Sequence, residues 1–204
     1  PADTAQENLF EVRPISDSQR SKMTGVTWRK GCPVGFKQLR EVHVAYRLPS
    51  GESAQGVLIV HQSVAKETKA IFKQLFQHAF VFQEIQPASY HAGNDDHLMA
   101  TNTTSAFNCR RVTGGKGFSK HSYGKAIDLN PLWNPYVKGK TVLPPKGKPF
   151  AMNRKNLKQA GILHAESLPV TLFKKAGWKW GGDWKSLKDY QHLEKKTQRK
   201  KKSN

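Results

Sequence analysis

The chain has 204 residues and is strongly basic: 34 Lys and Arg against 15 Asp and Glu give a formal net charge of +19. Hydrophobic residues make up 37% and five residues are Trp, which excludes a disordered chain and fits one folded domain with tails. No apolar run approaches the ~20 residues a membrane-spanning helix needs.

Taken in chain order, residues 1–27 are polar and aperiodic and read as an extended arm. Val42, Val44 and Tyr46 alternate as in a half-buried strand, Pro49-Ser50-Gly51 supplies a turn, and residues 55–60 return as the second strand of a hairpin. Residues 63–79 have helical spacing, with Val64, Thr68, Ile71, Phe72, Leu75 and Phe76 on one face and Ser63 as the expected N-cap. A strand is expected at 80–86, then a loop over 89–104 with one short helical turn at 95–100. Residues 125–129 read as a short central strand and 130–148 as a proline-rich loop. Residues 167–176 read as a short helix, with Pro169 in its first turn and Gly177 as its stop. Strands at 178–180 and 189–194 complete an α+β fold: a small central antiparallel sheet with flanking helices in a single domain.

The charge favours anionic partners. Part of it is local, because residues 195–204 (KKTQRKKKSN) hold six basic residues and no acid. Setting those six aside leaves 28 basic residues against 15 acids, still +13. The tail reads as a solvated basic end. For the remainder, attraction to a polyanionic cell envelope is the preferred account and nucleic acid the rival; no helix-turn-helix, zinc-finger or RNP motif is present.

Two imidazoles and two carboxylates stand out, in His121-Ser-Tyr-Gly124-Lys-Ala-Ile-Asp128 and Asp189-Tyr-Gln-His192. Gly124 permits a tight turn or a close backbone approach. Ala126 and Ile127 form an apolar strand holding Asp128, and a carboxylate placed there needs a charged partner or a metal. Three N/O ligands suit a catalytic divalent zinc ion, which keeps a coordination position for water. Asp189 precedes His192 by three residues, with a salt bridge to Lys185 or Lys188 as its bland alternative. Glu194, two residues beyond His192, shares its side of a strand and competes as base or orients the ligand imidazole.

The segment SKHSYGKAIDLNPLWNPYV, with SAFNCR and GCPVGF upstream and GWKWGGDW and DYQH downstream, resembles the zinc D-alanyl-D-alanine carboxypeptidase and L-alanyl-D-glutamate endopeptidase family, the VanY/VanX-like branch of the LAS metallopeptidases. The resemblance covers roughly residues 28–194, between the polar arm (1–27) and the basic tail (195–204). It implies Zn2+ ligands at His121, Asp128 and His192, a general base at Asp189, and an oxyanion- or carboxylate-binding guanidinium at Arg110, ahead of its neighbour Arg111. Asp189 stands where many relatives carry Glu. Ser119 and Tyr123 are weaker candidates for substrate hydrogen bonds. Trp178, Trp180 and Trp184 are candidates for the groove wall, Trp180 among the substrate contacts, with core packing the alternative for two of the three. Asp95, Asp96 and His97 are candidates for the cleft lining, with a turn the alternative. Cys32 and Cys109 read alone as two buried thiols; the resemblance, with export, implies that they are bridged.

The expectation is therefore a hydrolase of peptidoglycan stem peptides acting in the cell envelope, periplasmic or secreted. No signal peptide is visible after Pro1, so a targeting segment is expected to have been processed or to lie outside the chain. An endopeptidase cutting L-Ala–D-Glu leads, because a basic surface suits an insoluble polyanionic wall. A D-alanyl-D-alanine carboxypeptidase and a non-catalytic wall-binding module are the alternatives.

Overall fold

Alternating apolar residues build the largest sheet of the computed structural model, which describes residues 9–112 and 115–195. The sheet has the order β1 (Glu11–Pro14), β2 (Leu39–Arg47), β3 (Ser53–His61), with both pairings antiparallel. Period-2 alternation gives it two apolar faces. Val42, Val44, Leu58 and Val60 enter the main core, while Leu39 and Ile59 join a second core with Met23, Phe107 and Cys109.

The expected extended arm is part of the fold from residue 9 onward. β1 pairs along β2, and α1 (Asp17–Met23) follows, its N-cap Ser16 accepting a hydrogen bond from the Gln19 N–H. Glu41, buried on β2, accepts from both the N–H and the hydroxyl of Ser16 at 2.8 and 2.7 Å. Phe10, Ile15 and Met23 are the apolar anchors, too few and too widely spaced to leave a periodic signal. Residues 1–8 of the arm and residues 196–204 of the basic tail lie outside the described residues.

α2 (Gln62–Gln77) packs on β2 with Val64, Ala65, Thr68, Ile71, Phe72, Leu75 and Phe76 buried. Its cap is His61 rather than Ser63, since the imidazole Nδ1 of His61 accepts the Ser63 N–H at 3.1 Å. The strand expected over 80–86 contracts to β4 (Glu84–Ile85), parallel to β5 (Thr103–Thr104), because Phe82 stacks on Phe72 and Phe80 packs edge-on against Phe82. Between them, α3 (Asp95–Ala100) is the short helix expected there, capped by Asn94.

A second antiparallel sheet carries the motif residues. β6 (Ala126–Asp128) and β9 (Trp178–Trp180) flank β11 (His192–Lys195). The supposed proline-rich loop contains a hairpin, β7 (Tyr136–Lys138) and β8 (Thr141–Leu143), with β10 (Lys188–Asp189) paired to β7. The single strand expected at 189–194 is thus divided at Tyr190-Gln191: β10 lies in one sheet and β11 in another. α4 (Leu168–Lys175) has Pro169 in its first turn and is followed by Gly177 at φ +81°. No helix of the described residues is long and apolar enough to cross a membrane.

Cys32 and Cys109 form a disulfide across 77 residues of sequence. The bridge ties the 29–35 loop to the segment entering the motif region, where the Cys109 N–H also donates to the Thr27 carbonyl at 2.9 Å. The double variant C32S/C109S is expected to lose about 2–5 kcal/mol of stability, read as a lower denaturant midpoint. An unchanged midpoint would show that packing around Phe107 and Met23 holds this segment without the bridge.

Candidate metal centre and active-site cleft

A single 3-10 turn, Lys120–Tyr123, delivers His121. The Ser119 hydroxyl accepts the His121 N–H at 3.3 Å, and Gly124 closes the turn at φ +62°. Gly124 lies against the end of β3: its carbonyl accepts the His61 N–H at 2.8 Å, and a Cβ there would come within 2.6 Å of that nitrogen. Any larger residue would displace the turn and the imidazole with it. The Nδ1 of His121 donates to the Ala106 carbonyl at 2.6 Å, leaving Nε2 to accept or to ligate.

β6 and β11 bring the other donors opposite. Asp128 and His192 are register partners, so the carboxylate meets the second imidazole by strand pairing alone. Asp128 Oδ1 is 2.9 Å from His192 Nδ1, Asp128 Oδ2 is 3.2 Å from His121 Nε2, and the two ring nitrogens are 3.2 Å apart. One donor atom from each residue lies within 4.8 Å of the others, a group able to hold a metal ion. The remaining ring nitrogen of His192, Nε2, faces Glu194 Oε2 at 3.4 Å. Strand periodicity puts residues 192 and 194 on one side, so Glu194 orients the ring rather than serving as a free base.

The charges at this centre are tightly interlocked. Burial opposes ionisation of Asp128, but the His121 and His192 imidazoles more than offset it and hold the carboxyl far below its usual range. Burial likewise favours a neutral His192, yet hydrogen bonds to Asp128 and Glu194 raise its pKa to about 10. Without a metal ion, the site therefore keeps a proton on this imidazole at neutral pH.

Asp189 approaches from the neighbouring sheet. Its Oδ1 is buried and has no hydrogen-bond partner among the described residues, and burial pushes the carboxyl up to about 6. The tight backbone beside it depends on Gly181, where a Cβ would come within 2.4 Å of the Asp189 carbonyl oxygen. The turn at Tyr190-Gln191 is fixed by the Trp180 indole, which donates to the Tyr190 carbonyl at 2.8 Å, and by the Leu129 N–H donating to the Gln191 carbonyl at 3.0 Å. A buried carboxyl with one oxygen free and a pKa raised toward neutrality is suited to exchange protons.

These groups open onto a cleft of about 790 Å³ lined by α3, the 105–112 segment, the β7–β8 hairpin and the 184–194 region. Arg110 lines it, its guanidinium paired through Nε with Asp95, whose other oxygen accepts from Asn108 Nδ2 at 2.9 Å. Ser119, Asp95, Asp96 and Trp184 line the cleft too, with the Trp184 ring 5.5 Å from that of His192.

Three sequence expectations are corrected here. Trp180 does not wall the groove; it is buried with Trp178 in the main core, because a W-x-W strand puts both indoles on one face. Tyr123 packs against the second core, away from the cleft. His97 is exposed and stacks near His91, with ring centroids 4.8 Å apart, outside the cleft lining. Arg111 is engaged elsewhere, over the ring of Phe118. Sequence reasoning missed Asn108, whose amide fixes Asp95, and the hairpin residues Tyr136, Lys138 and Leu143 that form one lip. Asn108 adjoins the recognised CR pair, but nothing in its spacing marks a contact with Asp95.

Two imidazoles and a carboxylate that can hold a metal, beside a second carboxyl with one free oxygen in an open cleft, define a hydrolytic type of site. Residues 113–195 match the family model described as D-alanyl-D-alanine carboxypeptidase, which supports the resemblance carried by the sequence motifs and, with it, a peptidase acting on peptidoglycan. The match spans His121, Asp128, Asp189 and His192 and excludes Arg110 and both cysteines. No solved structure gives a match to the chain.

Proposed function

We propose that the protein is a zinc-dependent peptidase that hydrolyses stem peptides of peptidoglycan outside the cytoplasm, cutting between L-Ala and D-Glu. The observation that carries this reading is the Asp189 carboxyl, its buried Oδ1 without a partner among the described residues, beside the His121–Asp128–His192 donor group in one cleft. The N2O donor set fits a zinc ion, with Glu194 and the Ala106 carbonyl fixing both ring orientations. When bound, such an ion supplies Lewis-acid polarisation of the amide and a lowered pKa for water at the site. Asp189 accepts the proton of the attacking water as the C–O bond forms, then returns it to the leaving nitrogen as the C–N bond breaks. Arg110 offers fixed positive charge for the negative charge that develops on the carbonyl oxygen.

The cleft's continuation onto the lip of Tyr136, Lys138 and Leu143 supports an endopeptidase over a closed terminal pocket. Arg110 supports the second reading, a carboxypeptidase whose guanidinium holds the free carboxylate of a terminal D-Ala, in keeping with the description of the matching family. The disulfide and the family match support an extracytoplasmic site of action.

Mass spectrometry of purified disaccharide-pentapeptides incubated with zinc-loaded protein separates the two. The expected products are disaccharide-L-Ala and a peptide beginning at D-Glu. Loss of one D-Ala instead would make the protein a carboxypeptidase.

A further inference from the structure

We propose that the β7–β8 hairpin and the turn after it form a docking surface for an anionic phosphodiester polymer of the cell wall, placed beside the catalytic cleft. The choice of a wall polymer rests on the peptidase reading above; the surface itself rests on charge and placement. Residues 129–165 contain seven Lys and Arg and no Asp or Glu. Two of the seven are engaged: Arg154 is buried, donating to the Leu163 carbonyl, and Lys155 pairs with Glu166. Lys138, Lys140, Lys146 and Lys148, and Lys158 further along the chain, are exposed and make no ion pair among the described residues; the first four are the ones beside the cleft lip.

The backbone presents these four together. Lys138 and Lys140 flank the hairpin bend at Gly139, between strands paired as Lys138↔Thr141. The 3-10 segment Pro145–Phe150 then packs back on β8, with Gly147 buried and Lys146 and Lys148 on either side of it exposed. Lys138 and Leu143 also line the cleft, so the basic surface is continuous with its lip. Four unneutralised lysines, two at the hairpin bend and two on the turn that follows, attract a chain of phosphates by counterion release without sequence recognition. Binders of single-stranded nucleic acid add exposed aromatic platforms to such a surface. Here the hairpin and the turn carry two aromatic residues, Tyr136 at the cleft lip and Phe150, both half-buried, and none stands fully exposed beside the lysines, which favours a polymer without bases. Docking at this lip would hold the enzyme on the wall with its cleft next to the peptides.

The test is cosedimentation of the zinc-loaded full chain with isolated walls that carry a phosphodiester polymer, and with the same walls stripped of it by acid. The variant K140Q/K146Q/K148Q leaves the cleft-lining Lys138 in place. The control K66Q/K69Q/K73Q removes the same charge from α2, none of it in the cleft lining. Wild type and control are expected to pellet with intact walls and not with stripped ones. The hairpin variant should bind at least about tenfold more weakly, its salt slope reduced by roughly 2–3 for three lost phosphate contacts. Equal loss in both variants, no loss in the hairpin variant, undiminished binding to stripped walls, or tighter binding to an oligodeoxynucleotide of equal phosphate content would overturn the proposal. Cleavage of a soluble disaccharide-peptide, measured in parallel, is expected to be the same in all three forms. Its absence in all three would count against the peptidase reading and leave the binding result to stand separately.

Discussion

Replacing Asp189 with Asn lowers turnover of a stem-peptide substrate by about 10²–10⁴-fold, the usual contribution of a positioned general base, while metal affinity and fold persist. The amide keeps the size of the carboxyl but cannot take up a proton. Its Oδ1 position has no partner to lose among the described residues, so the folded state has little to forfeit. Wild-type kcat/KM should rise with pH along an acid limb at or below about 6, because the enclosed carboxyl is charged only above its folded pKa and a bound cation would lower that value further. That limb should be missing from the residual activity of D189N. Undiminished turnover would transfer the base to another group, and Glu194 would be next, although its carboxylate already serves the His192 ring.

Zinc affinity should climb about tenfold per pH unit between about pH 7 and 9, since ligation displaces the single proton held by His192. Without the ion this imidazole stays protonated up to about 10, and only its neutral form can ligate. Each binding event at pH 7 therefore releases one proton, and the dependence flattens once pH passes the folded pKa. The linkage to stability has a definite sign. For a histidine whose folded pKa is raised, the stabilisation of the ion-free protein is complete below the unfolded value near 6.5 and disappears as pH rises through about 10. Titration calorimetry in two buffers of different ionisation enthalpy measures the proton count directly. A pH-independent affinity would mean that His192 does not ligate, since a protonated imidazole must lose a proton to bind through either nitrogen.

Legibility in the sequence followed the range of the interactions. His121, Gly124 and Asp128 lie within eight residues of one another, so one local motif exposes them, and Glu194 could be placed beside His192 from strand periodicity alone. The long elements β2, β3 and α2 were equally plain, because nine to sixteen residues repeat an apolar period several times over. Three-residue strands such as β7 and β8 repeat nothing, and prolines on either side disguise them as a loop. The division between β10 and β11 depends on where the Trp180 indole finds a carbonyl, a tertiary contact with no sequence period. For the same reason the choice between Trp180 and Trp184 as groove wall needed the structure, although the W-x-W spacing already implies that Trp178 and Trp180 share a face. The tautomer of His121 is fixed by the Ala106 carbonyl, a backbone atom that no residue pattern announces.

The most direct test of the account is a zinc titration of the metal-free protein and of D128A, followed by calorimetry and paired with hydrolysis of a disaccharide-peptide. The account predicts one zinc site per chain in the wild type, with hydrolysis that chelation abolishes and zinc restores. In D128A both should be lost while circular dichroism shows the fold retained. Equal zinc binding by the two proteins, or hydrolysis that survives in chelator, would contradict the assignment of His121, Asp128 and His192 as the metal centre of a peptidase.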